Sequence, residues 1–294
     1  MTGASIELRE NGSEAIRYNA PGYPLRSRRD NLLSDLIHYA ADCHWHTDFE
    51  FVTCQRGGMT YRVNGEDIAL GEGDVLFVNS RRLHYGRSPE RKECVYAFVL
   101  MSPALLGGAE AVTELLAQLA DDGAADWWRF PAGEPETAEA AALLLTLCDH
   151  PEPAEAMTAI AAAAGLIRLA LGRAGEVTRA MDPAWGVVRR MVGYIQDHYR
   201  EKIALEDIAA AGAVCRSRCC ALFREKLGVS PVNYINSHRL HQACGLLATG
   251  ASVTEAAFGS GFQSSSYFAE TFRKAYGTTP TAWRAARQAA AGER

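Results

Sequence analysis

Hydrophobic positions change period along the chain. Between residues 32 and 100 they form short apolar runs of strand length, at 49–53, 59–63 and 75–78 among others. Asn64-Gly65 lies between two such runs and predicts a tight hairpin, because both residues tolerate positive φ. Gly71-Glu72-Gly73-Asp74 predicts another turn. Many short strands at close spacing predict a sandwich or barrel. After Pro103 the spacing becomes helical, through Val112, Leu115, Leu116 and Leu119, then Leu143, Leu144 and Leu147. It continues beyond Pro153 through Met157, Ile160, Ala164, Ile167 and Leu171, with residues 127–130 predicted as a short strand in between. These Ala-rich helices carry more apolar surface than one small barrel covers. A second copy of the chain would cover it as a homodimer, and packing onto their own barrel is the alternative.

The remainder of the chain contains an internal repeat. Phe223-Arg224, Gly228 and Ser230-Pro231 recur as Phe272-Arg273, Gly277 and Thr279-Pro280, offset by 49. Upstream, Leu205/Val253 and Ala209/Ala257 align at 48, and one extra residue in the second copy, Gln263, accounts for the shift. Ser230 and Thr279 read as helix N-caps followed by Pro at the first helical position. Ser252-Val253-Thr254-Glu255 reads as a capping box, and Gly228 and Gly277 suit helix ends. Each copy is predicted as a helix-turn-helix. The helix joining them is predicted from Pro231 to Ala248, about 27 Å long. That length suits placing two helices in successive major-groove segments about 34 Å apart.

Charge sharpens the division. The chain has 294 residues and a net charge of −5. Residues 185–294 hold 14 Lys and Arg against 8 Asp and Glu, whereas residues 1–184 hold 16 against 27. A basic C-terminal part behind an acidic one points to a polyanion as partner of the former. A hydrophobic content of 48% excludes disorder as the main state. No run of about 18 consecutive apolar residues predicts a membrane span. The first 19 residues lack the basic-then-apolar pattern of a secretory signal, so a cytoplasmic location is expected. The eight cysteines form no C-x-x-C pair and read as reduced, mostly core residues. A Gly-, Pro- and charge-containing stretch at 172–183 reads as a linker.

One polar cluster interrupts the strand region. His44, His46, Asp48 and Glu50 alternate and are placed on one strand face, Gly57 follows, and Gly73 precedes His84. This resembles the two cupin motifs. His44, His46, Glu50 and Gly57 match the first in spacing; Gly73 and His84 match the second, with Ser80-Arg81-Arg82 where a Pro-x-Gly turn is expected. The resemblance implies a divalent transition metal held by His44, His46, Glu50 and His84, the one cofactor the sequence suggests. The same side chains also suit an organic effector bound by hydrogen bonds in a polar-lined pocket.

Residues 188–287 resemble the DNA-binding domain of AraC/XylS-type transcription regulators. The resemblance rests on Gly261-Phe262-Gln263-Ser264-Ser265-Ser266-Tyr267-Phe268, Phe272-Arg273-Lys274 and Gly277-Thr278-Thr279-Pro280, with Asn233-Tyr234-Ile235, Arg239-Leu240, Ala243 and Leu246-Leu247 in the linker helix. It implies base-reading positions at Arg216, Ser217, Cys220 and Ala221 in the first unit, and at Gln263, Ser265, Ser266 and Glu270 in the second. It implies phosphate contacts at Arg224, Arg239, Arg273, Lys274 and Arg284. The chain departs from the pattern at Cys215, a poor cap. It departs also at Gly212, one place early, at Cys219 and Ala221, and at Glu270, which repels phosphate. Cys215 and Cys219, placed on one helix face beside Cys220, also admit a thiol-sensor reading.

The expected architecture is α+β in two domains. Residues 1–172 form a cupin-like β-barrel with dimerisation helices, 173–184 a linker, and 185–294 an all-α domain with two helix-turn-helix units. The implied protein is a cytoplasmic regulator of transcription, an activator in the leading reading, that binds double-stranded DNA and a small-molecule effector, a sugar first. Homodimerisation is expected, RNA polymerase is a candidate partner, and no membrane is involved. The rivals are a metal-dependent cupin enzyme or metal sensor fused to a DNA-binding domain, and a nucleoid-type binder of weak sequence preference.

Overall fold

The computed structural model describes residues 14, 16–36, 39–41, 43–121, 124–173 and 182–285. Two compact units divide at Pro183/Ala184. The expected linker falls mostly on residues 174–181, outside the described residues, as does most of the N-terminal stretch.

The first unit is built on seven antiparallel strands: β1 (Leu25–Leu32), β2 (Phe49–Val63), β3 (Glu66–Gly71), β4 (Val75–Val78), β5 (His84–Arg87), β6 (Cys94–Met101) and β7 (Trp127–Phe130). Strands β1-β6-β2-β4-β7 lie side by side, while β3 and β5 flank the far half of β2. The runs at 49–53 and 59–63 are therefore one strand, with a bulge between Cys54 and Arg56. Gly57 follows the bulge at φ +83, and a Cβ there would sit 2.4 Å from the Glu93 carbonyl. Only glycine allows that bend. Asn64 and Gly65, both at positive φ, close the β2–β3 hairpin as predicted.

Helices α1 (Glu110–Leu119), α2 (Pro135–Asp149) and α3 (Ala156–Arg173) follow. Leu144, Leu147, Ala159, Ala163, Leu166 and Ala170 share one buried core with Phe49, Phe51, Phe77 and Val99 of the sheet. The helices thus pack on their own sheet, the alternative to packing on a second copy. Pro153–Arg173 has a mean hydropathy of 1.5 and the length of a membrane span, although polar residues interrupt its apolar run. Its apolar side is filled by this core, and its outer side carries Arg168 paired with Glu139.

The second unit holds α4 (Ala184–His198), α5 (Leu205–Ala211), α6 (Arg216–Leu222), α7 (Pro231–Ala248), α8 (Val253–Gly259) and α9 (Ser265–Tyr276). A π-turn, Phe223–Leu227, extends α6. Ser230, Ser252 and Thr279 cap as predicted. The two turns solve one problem differently. Each needs a left-handed residue: Gly261 at φ +86 in the second, but Ala213 at φ +54 in the first. Glycine stands one place earlier in the first because a Cβ at 212 would meet Met191 at 2.7 Å. A Cβ at 261 would lie 2.1 Å from the Tyr199 carbonyl.

Ala213→Gly is accordingly expected to stabilise the unit by about 0.5–1 kcal/mol, the left-handed penalty less the entropy gained by the unfolded chain. Gly261→Ala is expected to cost at least about 2 kcal/mol. Urea titration of the full chain checks both, and an unmoved midpoint for Gly261→Ala would contradict the packing.

Candidate functional site

The histidine cluster lies within the first unit. Residue His44 forms an isolated bridge to His84, each backbone N–H donating to the other's carbonyl at 3.2 and 2.9 Å. His46 is held by its own carbonyl, which accepts from Arg81 N–H at 2.7 Å. The turn before His84 is made without Pro-x-Gly. Asn79 donates to the Leu119 and Ala125 carbonyls, each at 2.8 Å. Arg82 is 1% exposed; its guanidinium reaches Asp126 and the carbonyls of Ser80, Asp121 and Ala124. Buried side-chain anchoring replaces proline stiffness in fixing the strand that carries His84.

His44, His46 and His84 each place a ring nitrogen within 4.8 Å of the others. Glu50 joins them: its Oε2 lies 2.8 Å from His84 Nε2 and 3.6 Å from His46 Nε2. Neither contact has hydrogen-bond geometry, and all three atoms are buried without a hydrogen-bond partner. The ring nitrogens on the other side explain why. His84 Nδ1 lies 2.7 Å from the Arg82 carbonyl and His46 Nδ1 3.0 Å from that of Asp48. A carbonyl only accepts, so these Nδ1 atoms carry the protons, and in the neutral rings Nε2 presents a lone pair inward. Asp48 is not in the cluster. Residues 44–48 are not regular strand, and its carboxylate accepts from Tyr18 Oη at 3.0 Å instead.

Burial raises the Glu50 carboxyl, but the His84 and His46 imidazoles outweigh it and hold it well below the usual carboxylate range. Burial and His84 push His44 down to about 4. Burial also lowers His46, but Glu50 reverses that and raises it. Tyr61 donates to Glu50 Oε1 at 2.8 Å, and burial together with Glu50 drives its hydroxyl well above 10. Three ring nitrogens and a carboxylate at these short separations fit a divalent transition metal, whose donors at about 2.0–2.1 Å lie roughly 3–4 Å apart. Two partners lacked any local sequence signal: Tyr61, eleven residues along β2 from Glu50, and Glu14, whose Oε2 is 3.5 Å from His44 Nε2.

In the second unit, Arg216, Ser217, Ala221, Gln263, Ser265, Ser266 and Glu270 are exposed and Cys220 is half-buried. Arg216 pairs with Glu206 at 2.9 Å, and Glu270 pairs with Lys274 one turn on at 2.8 Å. Arg224, Arg273 and Lys274 are exposed. Arg239 and Arg284 are engaged within the domain. Arg239 donates to the Tyr199 and Glu201 carbonyls at 2.7 and 2.6 Å, and Arg284 to that of Ala251 at 3.1 Å. These bonds tie the residues just after α4 to α7, and Arg284 to the α7–α8 turn, while both side chains stay half-exposed. Cys215 caps α6 without a side-chain bond. Its exposed thiol is lowered by Ser217 and nearby backbone N–H groups. Cys219 is fully buried, and burial pushes it up to about 11, so the two thiols do not share an accessible face.

Comparison with known proteins agrees with this division. Residues 36–170 match the AraC-like ligand binding domain and residues 208–286 the helix-turn-helix domain. Over 250 residues the chain is 29% identical to the uncharacterized HTH-type transcriptional regulator YdeC of Bacillus subtilis (strain 168), covering 82% of this chain and 85% of that protein. It is 24% identical over 249 residues to the HTH-type transcriptional activator RhaS of Enterobacter sp. (strain 638), covering 84% and 88%. The crystal structure of unsaturated fatty acid bound ToxT from Vibrio cholerae shares the fold, with a TM-score of 0.50 over 92% of this chain and 97% of that one, at 12% identity. A ligand-binding sheet domain joined to two helix-turn-helix units defines a DNA-binding regulator of transcription, not an enzyme. The chain belongs to the AraC-type transcription regulators.

Removing Glu270's charge by Glu270→Gln frees Lys274 for phosphate. DNA binding is expected to tighten at low salt, and the slope of log K against log salt to steepen by about 0.9. Arg216→Ala is expected to cost about 1–3 kcal/mol at the specific site with little change in non-specific affinity. Fluorescence anisotropy at several salt concentrations reads both.

Proposed function

We propose that this regulator activates transcription in response to a small polar effector held at His44, His46, Glu50 and His84. A sugar or sugar derivative is the first class to test, following the family resemblance. The supporting observation is the trio of inward, partnerless polar atoms at His46, His84 and Glu50. Burying such groups without a partner costs about 1–3 kcal/mol each, and a ligand with hydroxyl or metal-ligating groups would recover that. Sequence similarity to a protein named as an activator supports the sign of regulation.

In this reading residues 1–172 sense the effector and form the homodimer, and residues 185–294 read DNA through Arg216, Ser217, Cys220, Ala221, Gln263, Ser265, Ser266 and Glu270. RNA polymerase is the partner an activator requires, and the cytoplasm is where such a complex forms. Effector binding acts by favouring one presentation of the helix-turn-helix units over another.

The test uses full-length protein and a DNA site selected from random sequence. Titration with sugars and sugar acids is expected to change DNA affinity or half-site preference and to raise transcription in vitro. Glu50→Gln should keep basal DNA affinity and weaken the effector response at least about tenfold. Titrations that leave affinity, half-site preference and transcription unchanged would sink the proposal, and a fall in transcription would reverse its sign.

A further inference from the structure

We infer that Glu14 is a fifth donor in a divalent transition-metal site made with His44, His46, His84 and Glu50, so that the ion ties Glu14 to the sheet. The inference uses the side chains of the proposed effector site but not the identity of an organic effector.

The geometry points to Glu14 from three directions. Its carboxylate is 5% exposed, although it lies before the first strand. Its position is fixed, because its N–H donates to the Trp45 carbonyl at 2.8 Å, between the two cluster histidines His44 and His46. Its two oxygens are divided. Oε1 accepts from Arg26 at 2.9 Å, leaving Oε2 turned to His44 Nε2 at 3.5 Å. Glu50 stands beside His84 and His46, and Glu14 beside His44. The three imidazoles therefore lie between two carboxylates.

Charge and coordination agree with this placement. Two carboxylates, Glu50 and Glu14, beside three imidazoles supply the anionic donors that a divalent cation requires. Three nitrogens and two oxygens suit Fe, Mn, Co or Ni in five- or six-fold coordination better than the closed tetrahedron of structural zinc. Ring-nitrogen separations of up to 4.8 Å would contract by about 0.4–0.9 Å on each side to reach bonding distance. Tyr61, on the outer oxygen of Glu50, and the Arg82 and Asp48 carbonyls, on the two Nδ1 atoms, are the supporting groups that orient metal ligands.

The experiment uses untagged, chelator-stripped, full-length protein and Co2+ as an optical probe. Zn2+, Fe2+, Mn2+ and Ni2+ uptake is measured by elemental mass spectrometry. One equivalent of Co2+ is expected, with visible absorption lost in His84→Ala. Glu14→Gln should weaken Co2+ binding at least about tenfold and alter the spectrum, as removal of an oxygen donor does. Hydrogen exchange around residue 14 should slow when Co2+ is added to wild type and not in Glu14→Gln. Circular dichroism confirms that each variant is folded. Unchanged Co2+ affinity and spectrum in Glu14→Gln would overturn the role of Glu14. Wild-type protein that takes up none of the five ions would overturn the site altogether. DNA affinity of the same stripped sample reads the regulator assignment independently of either outcome.

Discussion

The bend in β2 is the constraint on which the sheet domain depends. Its first half pairs with β4 and β6, and its second half with β3 and β5. The bulge at Cys54/Arg56 and the positive φ of Gly57 turn one strand through both groups of neighbours. Glu50 and Tyr61, eleven residues apart, can then meet in a hydrogen bond. A side chain at 57 would strike the Glu93 carbonyl and straighten the strand, separating Glu50 from Tyr61. Polar chemistry in this domain thus follows from a backbone event several residues away from any of the groups it brings together.

The second unit shows the opposite economy, in which one local plan is used twice with different compromises. The turn of the second copy takes glycine at its left-handed position, where the Tyr199 carbonyl leaves no room for more. In the first copy the tightest neighbour is Met191 of α4, one residue earlier, so glycine sits at 212 and Ala213 carries the strain. Cys215 adds a second weakness, because its side chain does not cap α6 whereas Ser264 caps α9. Strain and poor capping both concentrate in the first helix-turn-helix. Its opening free energy is expected to be the lower of the two.

Much of this was legible in the sequence because it is local. A Ser230 cap and Pro at the first helical position open α7, Gly228 and Gly277 close the preceding helix and α9, and each acts within four residues. The 48- and 49-residue offsets located both turns and the extra Gln263. The histidine spacing identified three members of the cluster and Glu50. What failed to show was non-local or direction-dependent. Nothing near Glu14 or Tyr61 marks either as a partner, since their partners lie far along the chain. Asp48 obeys the alternation of its neighbours, yet extended strand begins only at Phe49, so the face it occupies is set by Tyr18. Arg239 and Arg284 also bond to carbonyls at element ends far along the chain, which no local pattern announces. The Ala-rich helices α2 and α3 are apolar on several sides, so periodicity could not say which side meets the sheet.

The charge division acquires a different meaning once the pairs are visible. The excess of basic residues after position 184 suggests a broadly attractive surface, but part of it is locally neutralised. Glu206 holds Arg216, and Glu270 holds Lys274. These are exposed pairs worth little to stability, so they exchange readily for phosphate or base contacts. Their consequence is kinetic and selective rather than structural. In the proposed reading this reduces non-specific attraction to DNA, because Arg216 and Lys274 must each leave a carboxylate before engaging it. Binding then rewards sites where the side chain gains a base edge in exchange, since only there does the new contact exceed the one given up. Under the proposed contacts, discrimination by this domain depends on where Glu206 and Glu270 stand as much as on the basic residues they hold.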